Sequence, residues 1–241
     1  GKLKLIIRGG VGVDNIDVKY AESCGITVKN TPRASSQSVA ELAMAHMFSC
    51  ARYISIAGST MREDKWEKKA YGKGIELRGK TLGIVGFGRI GQHLGVMAKA
   101  IGMDVIAFDI FHIPGIEEKL GIPYVEMDEL LAKADFISVH APAVDGGALI
   151  NAERIEKMKD GVCIINTSRG TNVDEAALLA ALESGKVRAA GLDVYADEPA
   201  SNSALYSHPM VSCTPHIGAA TVEAQKRIGA EIVDIITNFG K

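Results

Sequence analysis

The run Gly86-Phe87-Gly88-Arg89-Ile90-Gly91 has the spacing of a turn that cradles phosphate groups. Glycine-rich turns are common, and this spacing gains meaning only between a strand and a helix. Here the apolar segment 81–85 leads into it, and Ile90, Leu94, Met97, Ala98 and Ile101 mark one face of a helix leading out. Gly86 then makes the tight turn, Gly88 lets backbone approach a pyrophosphate, and Gly91 lets the helix lie close on the strand. The phosphates meet unpaired N–H groups at the positive end of that helix. The next apolar run, 103–108, ends in Asp109, placed to accept hydrogen bonds from the adenosine ribose hydroxyls. Ile110, Phe111 and His112 follow, with no arginine to neutralise a 2′-phosphate, so the expected cofactor is NAD rather than NADP.

A hydride carrier needs a substrate site. Reduction of a 2-oxo acid calls for a proton donor to the carbonyl oxygen, a cation for the carboxylate, and a group that orients the donor. Arg169, Glu198 and His216 each stand just past an apolar run, at 162–166, 187–194 and 210–214. Ligands of open α/β sheets bind outside the carboxyl ends of the strands, so the three could share one crevice. Taken singly each has an ordinary reading: a surface arginine, a loop acid before Pro199, a histidine at a helix start.

The elements that must position these groups are legible as pattern. Apolar runs at 81–86, 103–108, 134–139, 161–166, 187–194 and 210–213 alternate with mostly helical patterns, which implies a parallel sheet covered on both faces. Ahead of it, 3–28 reads strand, glycine turn, short helix, strand. Ser38 to Glu41 has the spacing of a capping box, and the helix it opens, with apolar residues from Val39 to Ile54, is apolar nearly all round and so expected to be buried between domains or subunits. The polar stretch 61–77 looks like an excursion between domains or an arm, and 222–239 is an amphipathic helix.

The chain has 241 residues, 47% of them hydrophobic and 23% charged, with a net charge of -2. That composition fits an ordinary globular protein and carries no electrostatic footprint for nucleic acid. No apolar run is long enough to span a membrane and no signal segment opens the chain. Cys24, Cys50, Cys163 and Cys213 lack disulfide or zinc spacing and are expected to be reduced, mostly buried thiols in a cytoplasmic protein without a metal.

The strings RGGVGVDNID at 8–17, NTP at 30–32, AEL at 40–42, GKTLGIVGFGRIG at 79–91, TSRG at 167–170, GLDVYADEP at 191–199 and TPHIGAAT at 214–221 closely resemble the D-isomer-specific 2-hydroxyacid dehydrogenases, and among them the D-3-phosphoglycerate dehydrogenases most of all. The resemblance covers essentially the whole chain. It implies a Rossmann-type doubly wound domain over 34–221, part of a smaller flavodoxin-like substrate domain over 1–33, and a helix over 222–241 returning toward that domain. It implies oxidation of 3-phosphoglycerate in serine synthesis, with a lactate, glycerate or glyoxylate dehydrogenase or an NAD-sensing corepressor as alternatives. Arg169 would bind the substrate carboxylate and C2 oxygen, His216 would be the acid and base, and Glu198 would pair with it.

By the same resemblance Asp193 meets the nicotinamide carboxamide, Arg89 and Ile90 offer N–H groups to the pyrophosphate, and His140, Pro142 and Thr167 lie beside the cofactor. Backbone N–H groups near Val11 and Gly12 would face the substrate carboxylate. A homodimer is expected from the buried helix and the arm. The remaining histidines, His46, His93, His112 and His208, receive no chemistry. Ser35 stands where the family often has asparagine, and 143–148 is shorter than usual. The chain is expected to begin inside a longer protein and to carry no regulatory domain after its last helix.

Overall fold

The computed structural model describes residues 1–144 and 146–240. By their contacts they form two units, Gly1–Val39 with the chain from Gly218 onward, and Ala40–Ile217. The second carries six parallel strands, β3 (Thr81–Val85), β4 (Asp104–Phe108), β5 (Phe136–Val139), β6 (Val162–Asn166), β7 (Val187–Leu192) and β8 (Val211–Cys213), in the order β4-β3-β5-β6-β7-β8. This is the Rossmann-like parallel sheet expected from the sequence. Alternate side chains of each strand enter different cores. Leu82, Ile84, Phe136, Cys163 and Ile165 pack with Met47, Phe87 and Leu94 on one face, while Val85, Ile137, Val139 and Ile164 pack with Leu130 and Leu178 on the other.

The helices are α1 (Val18–Ser23), α2 (Ser36–Arg52), α3 (Ile54–Arg62), α4 (Arg89–Ala100), α5 (Ile116–Leu120), α6 (Met127–Lys133), α7 (Ala152–Glu156), α8 (Glu175–Ser184), α9 (Ser203–Tyr206) and α10 (Val222–Asn238). α8 shows how local sequence sets their ends. The Asp174 side chain accepts the N–H groups of Ala176 and Ala177 at 3.0 Å each, and Gly185 closes the helix at φ +79°.

In the smaller unit β1 (Leu5–Arg8) pairs in parallel with β2 (Thr27–Asn30). Asn30 Nδ2 donates to the Val11 carbonyl at 2.6 Å, fixing the loop that holds Val11 and Gly12. Thr221 caps α10, whose Arg227 Nε donates to the Ala34 carbonyl at 2.7 Å.

Three expectations are corrected. α2 begins at Ser36, not at a box opened by Ser38; Ser38 lies inside the helix with its hydroxyl 2.8 Å from that of Thr221. The helix does not run on through Ile54, because Tyr53 adopts φ +58° and interrupts the backbone ladder; Ile54 starts α3 and is 57% exposed. Of the four free cysteines Cys50 and Cys163 are buried, whereas Cys24 and Cys213 are exposed. Among the described residues no helix is long and apolar enough to cross a membrane.

Candidate active site

Strand order reverses between β3 and β5, and the glycine turn sits at that switch point. Gly86 has φ +95°, and a Cβ there would lie 2.6 Å from the Ala141 nitrogen in the loop after β5. A Cβ on Gly91 would lie 2.5 Å from the Gly86 carbonyl oxygen, so α4 can start this close to β3 only with glycine there. Gly88 has nothing within 4 Å of its missing Cβ, which leaves the backbone open above the start of α4. The helix ladder begins with the Gln92 N–H bonding the Gly88 carbonyl, so the N–H groups of Arg89, Ile90 and Gly91 precede it.

Asp109, just past β4, accepts the Phe87 N–H at 2.7 Å through Oδ2 and the Phe111 N–H at 3.0 Å through Oδ1. Each carboxylate oxygen keeps a second lone pair for a ribose hydroxyl. An open cradle over a helix N-terminus, with an acid at the end of the neighbouring strand, fits a dinucleotide. Beside it stand His140 and the exposed Pro142. His140 Nε2 lies 2.8 Å from the Ser138 hydroxyl, and burial pushes its pKa down to about 3, so the ring is neutral. Two enclosed polar atoms, His140 Nδ1 and Thr167 Oγ1, have no partner among the described residues.

The loops after β6, β7 and β8 lie at the same edge of the parallel sheet and are bonded one to the next. Asn166, the last residue of β6, accepts the Ser168 N–H at 3.1 Å and donates to the Arg169 carbonyl at 2.8 Å, and Asn172 Nδ2 donates to the Ala141 carbonyl at 2.9 Å. Arg169 is half-buried and one of its N–H groups donates to the Ser168 carbonyl at 2.7 Å. Gly170 lies against the backbone of Tyr195 and Ala196, where a Cβ would be 2.5 Å from the Ala196 nitrogen. Any larger residue would force apart the loops that carry Arg169 and Glu198.

His216 Nδ1 lies 2.6 Å from Glu198 Oε2. With that nitrogen held by a carboxylate, Nε2 is the ring atom that can exchange a proton with a substrate. His216 adopts φ +53°, a strained backbone for a non-glycine residue, of the kind that concentrates at functional sites. The strain is held from both sides: buried Asp193 accepts the Thr214 hydroxyl at 2.6 Å and the Ile217 N–H at 2.8 Å, both through Oδ1. Tyr195 adds a hydroxyl bond to the Thr214 carbonyl at 3.1 Å.

Because the Thr214 hydroxyl donates to Asp193, it accepts from His46, whose Nε2 lies 3.1 Å away while Nδ1 takes the Ser212 hydroxyl at 3.0 Å. Burial lowers the His46 pKa, partly opposed by Asp193. Gly191 gives α2 room there, since a Cβ on it would lie 2.5 Å from that of His46. The structure thus brings Arg169, Asp193, Glu198 and His216 to one edge of the sheet. It adds Asn166, Asn172, Tyr195, Thr214 and His46 as their supports. For His46 the sequence signal was a polar side chain within an apolar helix; for the others there was none beyond proximity to a strand end.

Residues 44–218 match the D-isomer specific 2-hydroxyacid dehydrogenase family in its NAD binding domain. Hydroxypyruvate reductase of Thermotoga maritima is 52% identical over 239 residues, 97% of this chain and 76% of that protein. D-3-phosphoglycerate dehydrogenase of Archaeoglobus fulgidus is 46% identical over 241 residues, 99% of this chain and 46% of that one, so the chain spans less than half of that relative. The structure of D-lactate dehydrogenase from Aquifex aeolicus, complexed with NAD and lactic acid, matches with a TM-score of 0.88 at 34% identity, covering 99% of this chain and 76% of that one. Given the open glycine turn at the start of α4, the acid just past β4 and these likenesses, the chain belongs to the D-isomer specific 2-hydroxyacid dehydrogenases and carries their NAD binding domain.

Proposed function

We propose that the protein interconverts a D-2-hydroxy acid and its 2-oxo acid, with Arg169, Glu198 and His216 as its catalytic groups. The observation that carries this reading is the His216–Glu198 bond at 2.6 Å, braced next to the Arg169 loop at the carboxyl end of the sheet. NAD, when bound, supplies the acceptor for the C2 hydride. Gly86, Gly88 and Gly91 make room for its phosphates, Arg89 and Ile90 offer them N–H groups, and Asp109 takes the ribose hydroxyls. Asp193 would meet the nicotinamide carboxamide, and His140, Pro142 and Thr167 would lie beside the cofactor.

In oxidation His216 Nε2 removes the proton of the C2 hydroxyl, and in reduction it returns one to the carbonyl oxygen. Glu198 keeps Nδ1 protonated and stabilises the ring when it is charged. The planar Arg169 fork holds the carboxylate and polarises the C2 oxygen.

Among substrates, 3-phosphoglycerate follows from the motif resemblance and would place the protein in serine synthesis. A second reading, D-glycerate and hydroxypyruvate, is favoured by the 52% identity with a hydroxypyruvate reductase. Both are three-carbon acids with oxygen on C3. We take 1–33 as part of a substrate domain and the setting as a cytoplasmic homodimer. The exposed apolar residues Phe48, Ile54, Met61 and Trp66, on α2, α3 and the arm, favour the dimer.

The test is NAD reduction by the full-length protein with D-3-phosphoglycerate, D-glycerate, D-lactate and their L-isomers. Turnover of a D-acid is expected. NADH binding without turnover of any 2-oxo acid would point instead to a corepressor-like sensor.

A further inference from the structure

We propose that Glu175 is a positioning residue for the reaction: it fixes the loop that carries Glu198 and through it the His216 ring. The inference rests on the reading of Glu198 and His216 given above. Glu175 is the first residue of α8, where an acid is ordinarily credited to the helix dipole or to capping. The cap is already supplied by Asp174, and the Glu175 carboxylate is turned to a different segment. Its Oε1 accepts the Ala196 N–H at 2.8 Å and its Oε2 accepts Asn202 Nδ2 at 3.1 Å. One carboxylate therefore holds the chain on both sides of Glu198, across a segment that has neither helix nor strand.

The catalytic pair needs such a hold. The side chains of His216 and Glu198 are 50% and 39% exposed, so burial does not fix them, although they lie only 2.6 Å apart. An exposed pair of flexible side chains keeps one geometry only at an entropic cost, and its alignment must come from the backbone that bears it. Within the loop, Glu198 Oε1 meets only the Tyr195 N–H, at the long distance of 3.3 Å. Glu175 is the charged group that anchors this loop to a rigid helix, just beyond the point where Gly170 meets Ala196.

Four full-length variants test this: Glu175→Ala, Glu175→Gln, Glu198→Gln and the double variant Glu175→Ala/Glu198→Gln. Loosening the orienting group forfeits part of the acid–base gain, so Glu175→Ala should lower kcat about tenfold. The KM of the 2-oxo acid and the Kd of NADH should stay within about twofold. In the Glu198→Gln background the same substitution should add less than about twofold, because the residue it positions has been disabled. Glu175→Gln keeps an oxygen for Ala196 but turns an N–H toward Asn202, should lose less than the alanine variant, and carries the test if that variant does not fold.

A readout free of cofactor is the NMR signal of the His216 ring Cε1–H, identified by its loss in His216→Asn. In Glu175→Ala it should move toward its position in Glu198→Gln. A full tenfold loss in both backgrounds, or an unmoved ring signal, would overturn the proposal. A slow Glu198→Gln beside a wild-type Glu175→Ala and Glu175→Gln would overturn it alone. A wild-type Glu198→Gln would overturn the reading of Glu198 as well.

Discussion

Replacing Asp109 by serine tests the cofactor site with a magnitude that the structure supplies. The carboxylate is anchored through the N–H groups of Phe87 and Phe111, so it cannot swing away from a ligand at the end of β4. A hydroxyl that hydrogen-bonds to it would bring a 2′-phosphate to about 4 to 5 Å, and at an effective dielectric of about 20 each unit of charge repulsion costs about 3 to 4 kcal/mol. That is about a hundred- to a thousandfold in kcat/KM against NADP. Asp109→Ser removes the repulsion, so kcat/KM with NADP should rise by about tenfold or more. It also removes charge-assisted bonds of about 1.5 to 3 kcal/mol each, so kcat/KM with NAD should fall by about tenfold or more. The assay is initial-rate kinetics of the full-length protein with both cofactors at constant salt. Comparable wild-type values for NAD and NADP, or an unchanged ratio in the variant, would refute the reasoning.

Other predictions concern the acid–base groups. His216→Asn should lower kcat about 100- to 10,000-fold while the Kd of NADH stays within a few-fold, since the ring acts on the substrate oxygen; a loss under tenfold would remove it from the role. Arg169→Lys keeps the charge but not the planar fork, so it should raise the KM of the hydroxy acid and lower kcat, and unchanged constants would place Arg169 outside the site.

Acid stability reports on His140, whose folded pKa of about 3 lies below the ordinary 6.5. Its contribution is present in full above pH 6.5 and is lost as the pH falls toward 3, about 2 kcal/mol of it by pH 5. Urea unfolding of His140→Gln should show a correspondingly smaller drop between pH 6.5 and 5; an equal drop would show that another group is responsible.

The sheet was legible because its central strands are buried on both faces and so read as mainly apolar runs; FISV and VCIIN, now β5 and β6, are wholly buried. That Arg169, Glu198 and His216 share one edge was legible because strand ends of a parallel sheet do so, while the roles proposed for them came from the strings TSRG, GLDVYADEP and TPHIGAAT; the glycine spacing was legible because Gly86 and Gly91 leave no room for a Cβ. What escaped depends on chain segments far apart in sequence. Glu175 meets Ala196, His46 meets Thr214 and Asn172 meets Ala141 only once the strand order has brought their loops together. Local irregularities escaped too: the positive φ at Tyr53 divides a pattern that reads as one helix, and Ser38 has the spacing of a cap although the helix begins before it.

The most direct test of the account follows the hydride itself. The full-length protein is given NAD and a D-2-hydroxy acid deuterated at C2, D-glycerate or D-3-phosphoglycerate, in ordinary water, and the NADH formed is analysed by mass spectrometry. The account predicts one deuterium per reduced nicotinamide, no reaction with the L-isomer, and a rate reduced about 100-fold or more in His216→Asn. Unlabelled NADH, or equal turnover of the two isomers, would contradict it.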